Sequence, residues 1–485
     1  MKNKHNLLLI ILLGFALTLS ANTNPRTIQI SGKVSCEGKG IPSVMVTDGV
    51  SVVETDKNGG YILASSSERK FVYYSLPTGY ESPIQEGVPV FYSAIDTSKK
   101  VQQINFRLTA CKQSQTKHAF ILMADPQVHD IEEFDLLKLV LNDINQTVAG
   151  LKLQMPVHAI SCGDLVFDQL QYFDNYREVI AQTKLPFYQL MGNHDMDYNE
   201  RSNELSDRSY SAEFGPAYYS FTKGLIHYIV LKDVFYYGDS YKYMGYIDEK
   251  QLRWLEKDLA KTRPGSTVVV SLHIPTVYGE SKKEDRNSTY LLANSVMNRA
   301  AFYKIVSPFK THILAGHSHT QWNTVLAPNL FEHTHAAACA AWWQGEICLD
   351  GTPKGYTVYI ADGDSLSWYF KGVNTNKDEQ FKLYSAGSDT LYPDCFIANV
   401  YNYDPAWTVK WFENDVPMGK MEQYWGEDPL AKSSYVPGKN KKYSWIIAGE
   451  THHLFKAKIH TPNSKIKVQV TDRFGKVYEK TVSEK

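Results

Sequence analysis

Five short apolar runs in this chain each stop at side chains able to bind a metal ion. HAFILMA leads into Asp125 and Gln127, VHAISC into Gly163-Asp164, and FYQLM into Gly192-Asn193-His194-Asp195. TVVVSL leads into His273, and THILA into Gly316-His317-Ser318-His319. Aspartate is a hard anionic donor that can bridge two cations, Asn and Gln offer neutral oxygens, and His offers nitrogen. Such a mixture suits a pair of divalent transition ions better than a closed structural zinc site, which favours thiolates, or calcium, which prefers oxygen throughout. Any one of these motifs alone is more often a turn than a site, because Gly, Asn and Asp favour turns for backbone reasons. Five in succession is a pattern that turns do not explain.

Donors at five strand ends converge only if the strands share a sheet edge, as they do in layered α/β folds. Between about Lys117 and Phe370 strand patterns alternate with helical ones, as this requires. The segment Ile131–Val148 is expected to be helical, with Asp130 as cap, Glu133 three residues on, and apolar residues at helical spacing. The flanks differ. Residues 22–112 carry short β-rich stretches and turn signals such as Asp56-Lys-Asn-Gly-Gly60, indicating an all-β sandwich, and residues 375–485 form a second β-rich region whose last segment predicts a hairpin. Three domains agree with the length of 485 residues.

The order D-x-[HQ], G-D, G-N-H-D, lone His, G-H-x-H resembles the calcineurin-like metallophosphoesterase superfamily over roughly Lys117 to Phe370. With its β flanks the chain is similar to the exported bacterial three-part type. The resemblance implies a four-layer α-β-β-α sandwich over 117–372 between two small all-β domains. It implies that Asp125, Gln127, Asp164 and His319 hold one metal and that Asp164, Asn193, His273 and His317 hold a second. A hydroxide shared by the two ions would attack phosphorus, His194 would protonate the leaving oxygen as general acid, and Asp195 would orient His194. The implied activity is hydrolysis of phosphomonoesters or phosphodiesters. The alternative is a non-catalytic exported binding protein on the same scaffold; the unligated His194 distinguishes them, since simple binding needs no acid. Gln127 stands where His is commoner, which favours Mn2+ or Fe2+ over Zn2+, with His129 as the competing ligand.

Bulk properties set the remaining expectations. A formal net charge of −1 offers no electrostatic footprint for nucleic acid. Lys2 and Lys4, the apolar run Leu7–Leu19 and the small residues at Leu19-Ser-Ala21 read as a signal peptide over 1–21, hence a periplasmic or extracellular protein, and no later apolar run is long enough to span a bilayer. The six cysteines are sparse; buried thiols are expected, with Cys339 and Cys348 the one candidate bridge. His333 and His335 are read as structural, Trp342 and Trp343 as core with a pocket wall as the other reading, Asp168 and Asp174 as surface, and Ser281–Thr289 as a solvated loop or a substrate-facing one.

Overall fold

The computed structural model describes residues 25–278, 288–436, 438 and 442–483. The signal peptide expected over 1–21 lies outside them, as do residues 281–287 of the polar run. Two sheets form the centre. One orders Phe187–Leu190, Val157–Cys162, Lys117–Met123, Gly355–Asp362 and Ser365–Gly372, the first three parallel and the last two antiparallel. The other orders Tyr219–Lys223, Ile226–Val230, Thr267–Ser271, Lys310–Ala315, Leu330–Thr334 and Trp322–Ala327, parallel across its four inner strands.

Parallel strands need crossovers that cover both faces, so the inner strands are buried throughout rather than alternating; every residue of Val157–Cys162 and Thr267–Ser271 is buried. On the inner faces Tyr188 stacks on Phe221 at 3.8 Å and Phe120 meets Tyr228 edge-on at 5.4 Å, joining the two sheets. On the outer face of the first sheet Ile121 and Met123 pack with Phe134, Leu137 and Leu141 of the helix Glu133–Lys152. The second sheet is covered by Trp254 and Leu255 of Glu249–Leu259 and by Phe302 of Arg299–Val306. The layers are helix, sheet, sheet, helix.

Both flanks are β-rich. Thr27–Cys36 organises one N-terminal sheet, with a four-stranded sheet beside it, and two four-stranded sheets follow Phe381. Lys465–Thr471 and Val477–Ser483 pair as the expected hairpin, while one short helix, Pro429–Ser434, interrupts the C-terminal strands.

One local expectation is corrected, and the one candidate disulfide is not formed. The first central helix begins at Glu133 without a side-chain cap, because Asp130 is drawn into an ion pair with Lys442 at 2.9 Å, and Ile131 is left exposed. Glu133 does reach back, accepting the His129 N–H at 2.8 Å. All six cysteines are free; the Cys339 and Cys348 thiols face the carbonyls of Ala340 and Ala337, each at 3.7 Å, instead of each other. Among the described residues no helix is long and apolar enough to cross a membrane.

Candidate metal centre and active site

The strand ends of the two sheets meet in one cleft. His273 Nε2 lies 3.3 Å from Asp164 Oδ1, 3.1 Å from Asn193 Oδ1 and 3.3 Å from His317 Nδ1. One ligand atom from each of Asp164, His273 and His317 falls within 4.8 Å of the others. Both oxygens of Asp125 accept the His317 N–H, at 2.9 and 3.0 Å, and Gln127 Nε2 donates to Asp164 Oδ2 at 2.7 Å. His319 Nδ1 sits 2.8 Å from the Ala340 carbonyl, leaving Nε2 buried with no partner. His129 turns elsewhere: its ring packs on Phe167 and Tyr443 and its Nδ1 is 3.5 Å from Lys442 Nζ. Gln127, not His129, therefore stands in the cluster.

The backbone is bent hard to do this. Asp125, Gln127, Asp164, His317 and His319 all have positive φ, between 36° and 71°. Such a conformation costs of order 1 kcal/mol for a residue with a Cβ, and it gathers where function over-determines the chain.

Burying carboxylates beside imidazoles creates an electrostatic conflict. Burial pushes the Asp125 carboxyl up to about 8. Burial also opposes charge on Asp164 and His273, but each stabilises the other: the Asp164 carboxyl is held below its ordinary value and the His273 imidazole is pushed up to about 10. Burial pushes His317 down to about 3 and His319 to about 4, so both rings are neutral donors. Two buried carboxylates, neutral imidazoles, amide oxygens and an orphaned His319 Nε2 make a donor set that fits two divalent cations.

Family models match three successive parts of the chain: "N terminal of Calcineurin-like phosphoesterase" over residues 28–111, "Calcineurin-like phosphoesterase" over 119–321 and "C terminal of Calcineurin-like phosphoesterase" over 332–478. The chain belongs to the calcineurin-like phosphoesterase family. It is accordingly a metal-dependent phosphoric ester hydrolase. Solved structures to which it is similar include a dimetal phosphatase from Danio rerio, at 14% identity over 53% of this chain and 96% of that one, with a TM-score of 0.37. A purple acid phosphatase from yellow lupin seeds matches at 12% identity over 72% of each chain, with a TM-score of 0.38. A 5'-nucleotidase from Candida albicans matches at 11% identity over 56% of this chain and 54% of that one, with a TM-score of 0.34. No curated protein gives a significant match.

Within this phosphoesterase site, the expected role of Asp195 is corrected. Its carboxylate accepts the backbone N–H groups of Leu165, Val166 and Gly192 at 2.8–3.2 Å, bracing the loop that carries Asp164. The carboxylate on the His194 ring belongs to Asp168, with Oδ1 2.8 Å from Nδ1, although Asp168 reads as a surface residue in the sequence. Asp195 follows His194 directly in a tight turn that sends the two side chains apart, so adjacency in the chain misleads here. Burial opposes protonation of His194, yet the Asp164 and Asp168 carboxylates raise its pKa above the ordinary value.

Asp233 was not anticipated: buried, it accepts the N–H groups of His273 and Ile274, each at 2.9 Å, and burial pushes its carboxyl up to about 7. A signal existed, since Asp233 ends a sixth apolar run, IHYIVLKD. His333 and His335 are structural, bonded to Asn323 and to the Ala315 carbonyl, and Asp174 is an exposed helix residue. Trp342 is half-buried: it packs against the cluster of Ala341, Ala431, Tyr435 and Ile446 and also stacks on His319 at 4.1 Å. Trp343 donates from Nε1 to the Pro126 carbonyl at 3.0 Å and packs among buried side chains.

The glycine of Gly192-Asn-His-Asp is required by close approach. A Cβ there would stand 2.1 Å from Asp164 Oδ1 and 2.2 Å from its backbone nitrogen. Gly192→Ala is expected to destabilise the protein by about 1–3 kcal/mol and to weaken metal binding by displacing Asp164. An unchanged melting temperature together with undiminished metal uptake would contradict this.

Proposed function

We propose that the cleft hydrolyses phosphomonoesters or phosphodiesters with two divalent cations, one held by Asp125, Gln127, Asp164 and His319 and the other by Asp164, Asn193, His273 and His317. When bound, such a pair neutralises charge developing on the phosphoryl oxygens and lowers the pKa of a water. The protein's own part is proton delivery. Asp168 engages His194 Nδ1, fixing the ring and leaving Nε2 as the atom that hands a proton to the departing oxygen. This dyad carries the reading, and it speaks against the non-catalytic alternative, since a binding site has no use for a buttressed acid. The neutral amide of Gln127, in place of an imidazole, favours Mn2+ or Fe2+ over Zn2+; its terminal amide needs only a half-turn to present oxygen where nitrogen now meets Asp164.

The test is turnover of nitrophenyl phosphate and bis-nitrophenyl phosphate by chelator-stripped protein given Mn2+, Fe2+ or Zn2+. Hydrolysis of at least one ester, strongest with Mn2+ or Fe2+, is expected. Bound metal without turnover of either ester would favour the binding-protein alternative, and tight zinc with no manganese activity would sink the argument from Gln127.

A further inference from the structure

A tryptophan from the C-terminal region stands at the mouth of the cleft. Trp445 is 49% exposed, yet it is held firmly: it stacks on Tyr443 with ring centroids 4.7 Å apart and planes 17° from parallel. The segment is pinned at both ends. Lys442 pairs with Asp130 at 2.9 Å and with Glu133 at 3.6 Å, and Ile446 is buried with Ala341 of the catalytic region. A half-exposed tryptophan kept in place against a half-buried tyrosine is poorly explained by packing, since half of Trp445 gains nothing from it.

Its neighbours tie it to the chemistry. Phe167 meets the His194 ring edge-on at 4.4 Å, and both Tyr443 and Trp445 meet Phe167, at 5.6 and 6.3 Å. Trp342, stacked on His319, meets Trp445 at 6.1 Å. A continuous aromatic wall thus runs from the imidazole that protonates the leaving oxygen out to solvent. The leaving oxygen must come within hydrogen-bond reach of His194, so the group attached to it passes Phe167 and arrives at Tyr443 and Trp445. Lys442 is already occupied by two carboxylates and sits 5.2 Å over the Tyr443 ring, so what the wall offers at its outer end is the exposed face of Trp445, backed by Tyr443.

Resting on the phosphoesterase reading above, we infer that Trp445, backed by Tyr443, forms the leaving-group subsite and that the substrate is a phosphoester whose leaving alcohol carries a planar aromatic ring. Ring stacking is sequence-tolerant chemistry that an aryl alcohol and a nucleoside share. The C-terminal region thereby contributes specificity to a reaction carried out by the central one.

Specificity and binding give separate readouts. With Mn2+ supplied, kcat/KM is measured for naphthyl phosphate, adenosine monophosphate and glycerol phosphate in the natural protein, Trp445→Ala and Trp445→Phe. The preference for a ring-bearing ester over glycerol phosphate is expected to fall about tenfold in Trp445→Ala and to be largely restored in Trp445→Phe. Calorimetry on metal-stripped protein should show naphthol or adenosine binding weakened by a similar factor in Trp445→Ala. A loss confined to the naphthyl compounds identifies an aryl alcohol, and one confined to the adenosine compounds a nucleoside. An unchanged preference with unchanged binding overturns the subsite. Trp445-dependent binding of a ring alcohol in a protein that hydrolyses no ester would leave the subsite standing and remove the phosphoesterase reading instead.

Discussion

Asp164→Ala is expected to cut metal-dependent phosphoester hydrolysis by about a thousandfold or more. In the proposed site Asp164 is shared by both cations, and its Oδ1 lies beside His273 and its Oδ2 beside Gln127. Its Oδ1 also accepts the His194 N–H at 2.9 Å, so its loss disturbs the acid as well as the metals. Because alanine would leave the Gln127 amide and that N–H unpaired in the interior, Asp164→Asn is the companion variant: it keeps the volume and removes the charge. Both should retain the circular dichroism of the folded protein and lose bound metal in elemental analysis. A rate in Asp164→Asn equal to that of the natural protein would refute the site.

His194→Gln should show a loss that depends on what departs. For an alkyl phosphate, whose leaving oxygen needs a proton, the expected reduction in kcat is about 10²–10⁴-fold. For a nitrophenyl ester, whose anion leaves unaided, it should be far smaller. Asp168→Asn should follow the same leaving-group pattern less steeply, because it removes the group that orients Nδ1 while keeping the ring. Equal losses across leaving groups in His194→Gln would count against a protonating role.

Much of the central sheet and its donor cluster was legible in the chain because the information is local. An apolar run buried on both faces and followed by a donor describes a strand end whatever surrounds it: Asp125 and His273 follow their runs directly, and Asp164, Asn193, His317 and His319 follow theirs after a glycine. Motif spacing favours Gln127 over His129, and in three dimensions the ring of His129 turns to Phe167, Tyr443 and Lys442 while Gln127 meets Asp164. The helix start at Glu133 escaped for a similar reason, since Asp130 found a better partner in Lys442, more than 300 residues away in the chain.

The sequence by itself determined which residue types could meet at the strand ends, because periodicity and turn chemistry act over a few residues. Tertiary structure alone decided the pairings across loops: Asp168 rather than Asp195 on His194, and Tyr443 and Trp445 against Phe167. Such pairings depend on where loops and domains come to rest against one another, and the contacts that set those positions join residues with no regular spacing between them.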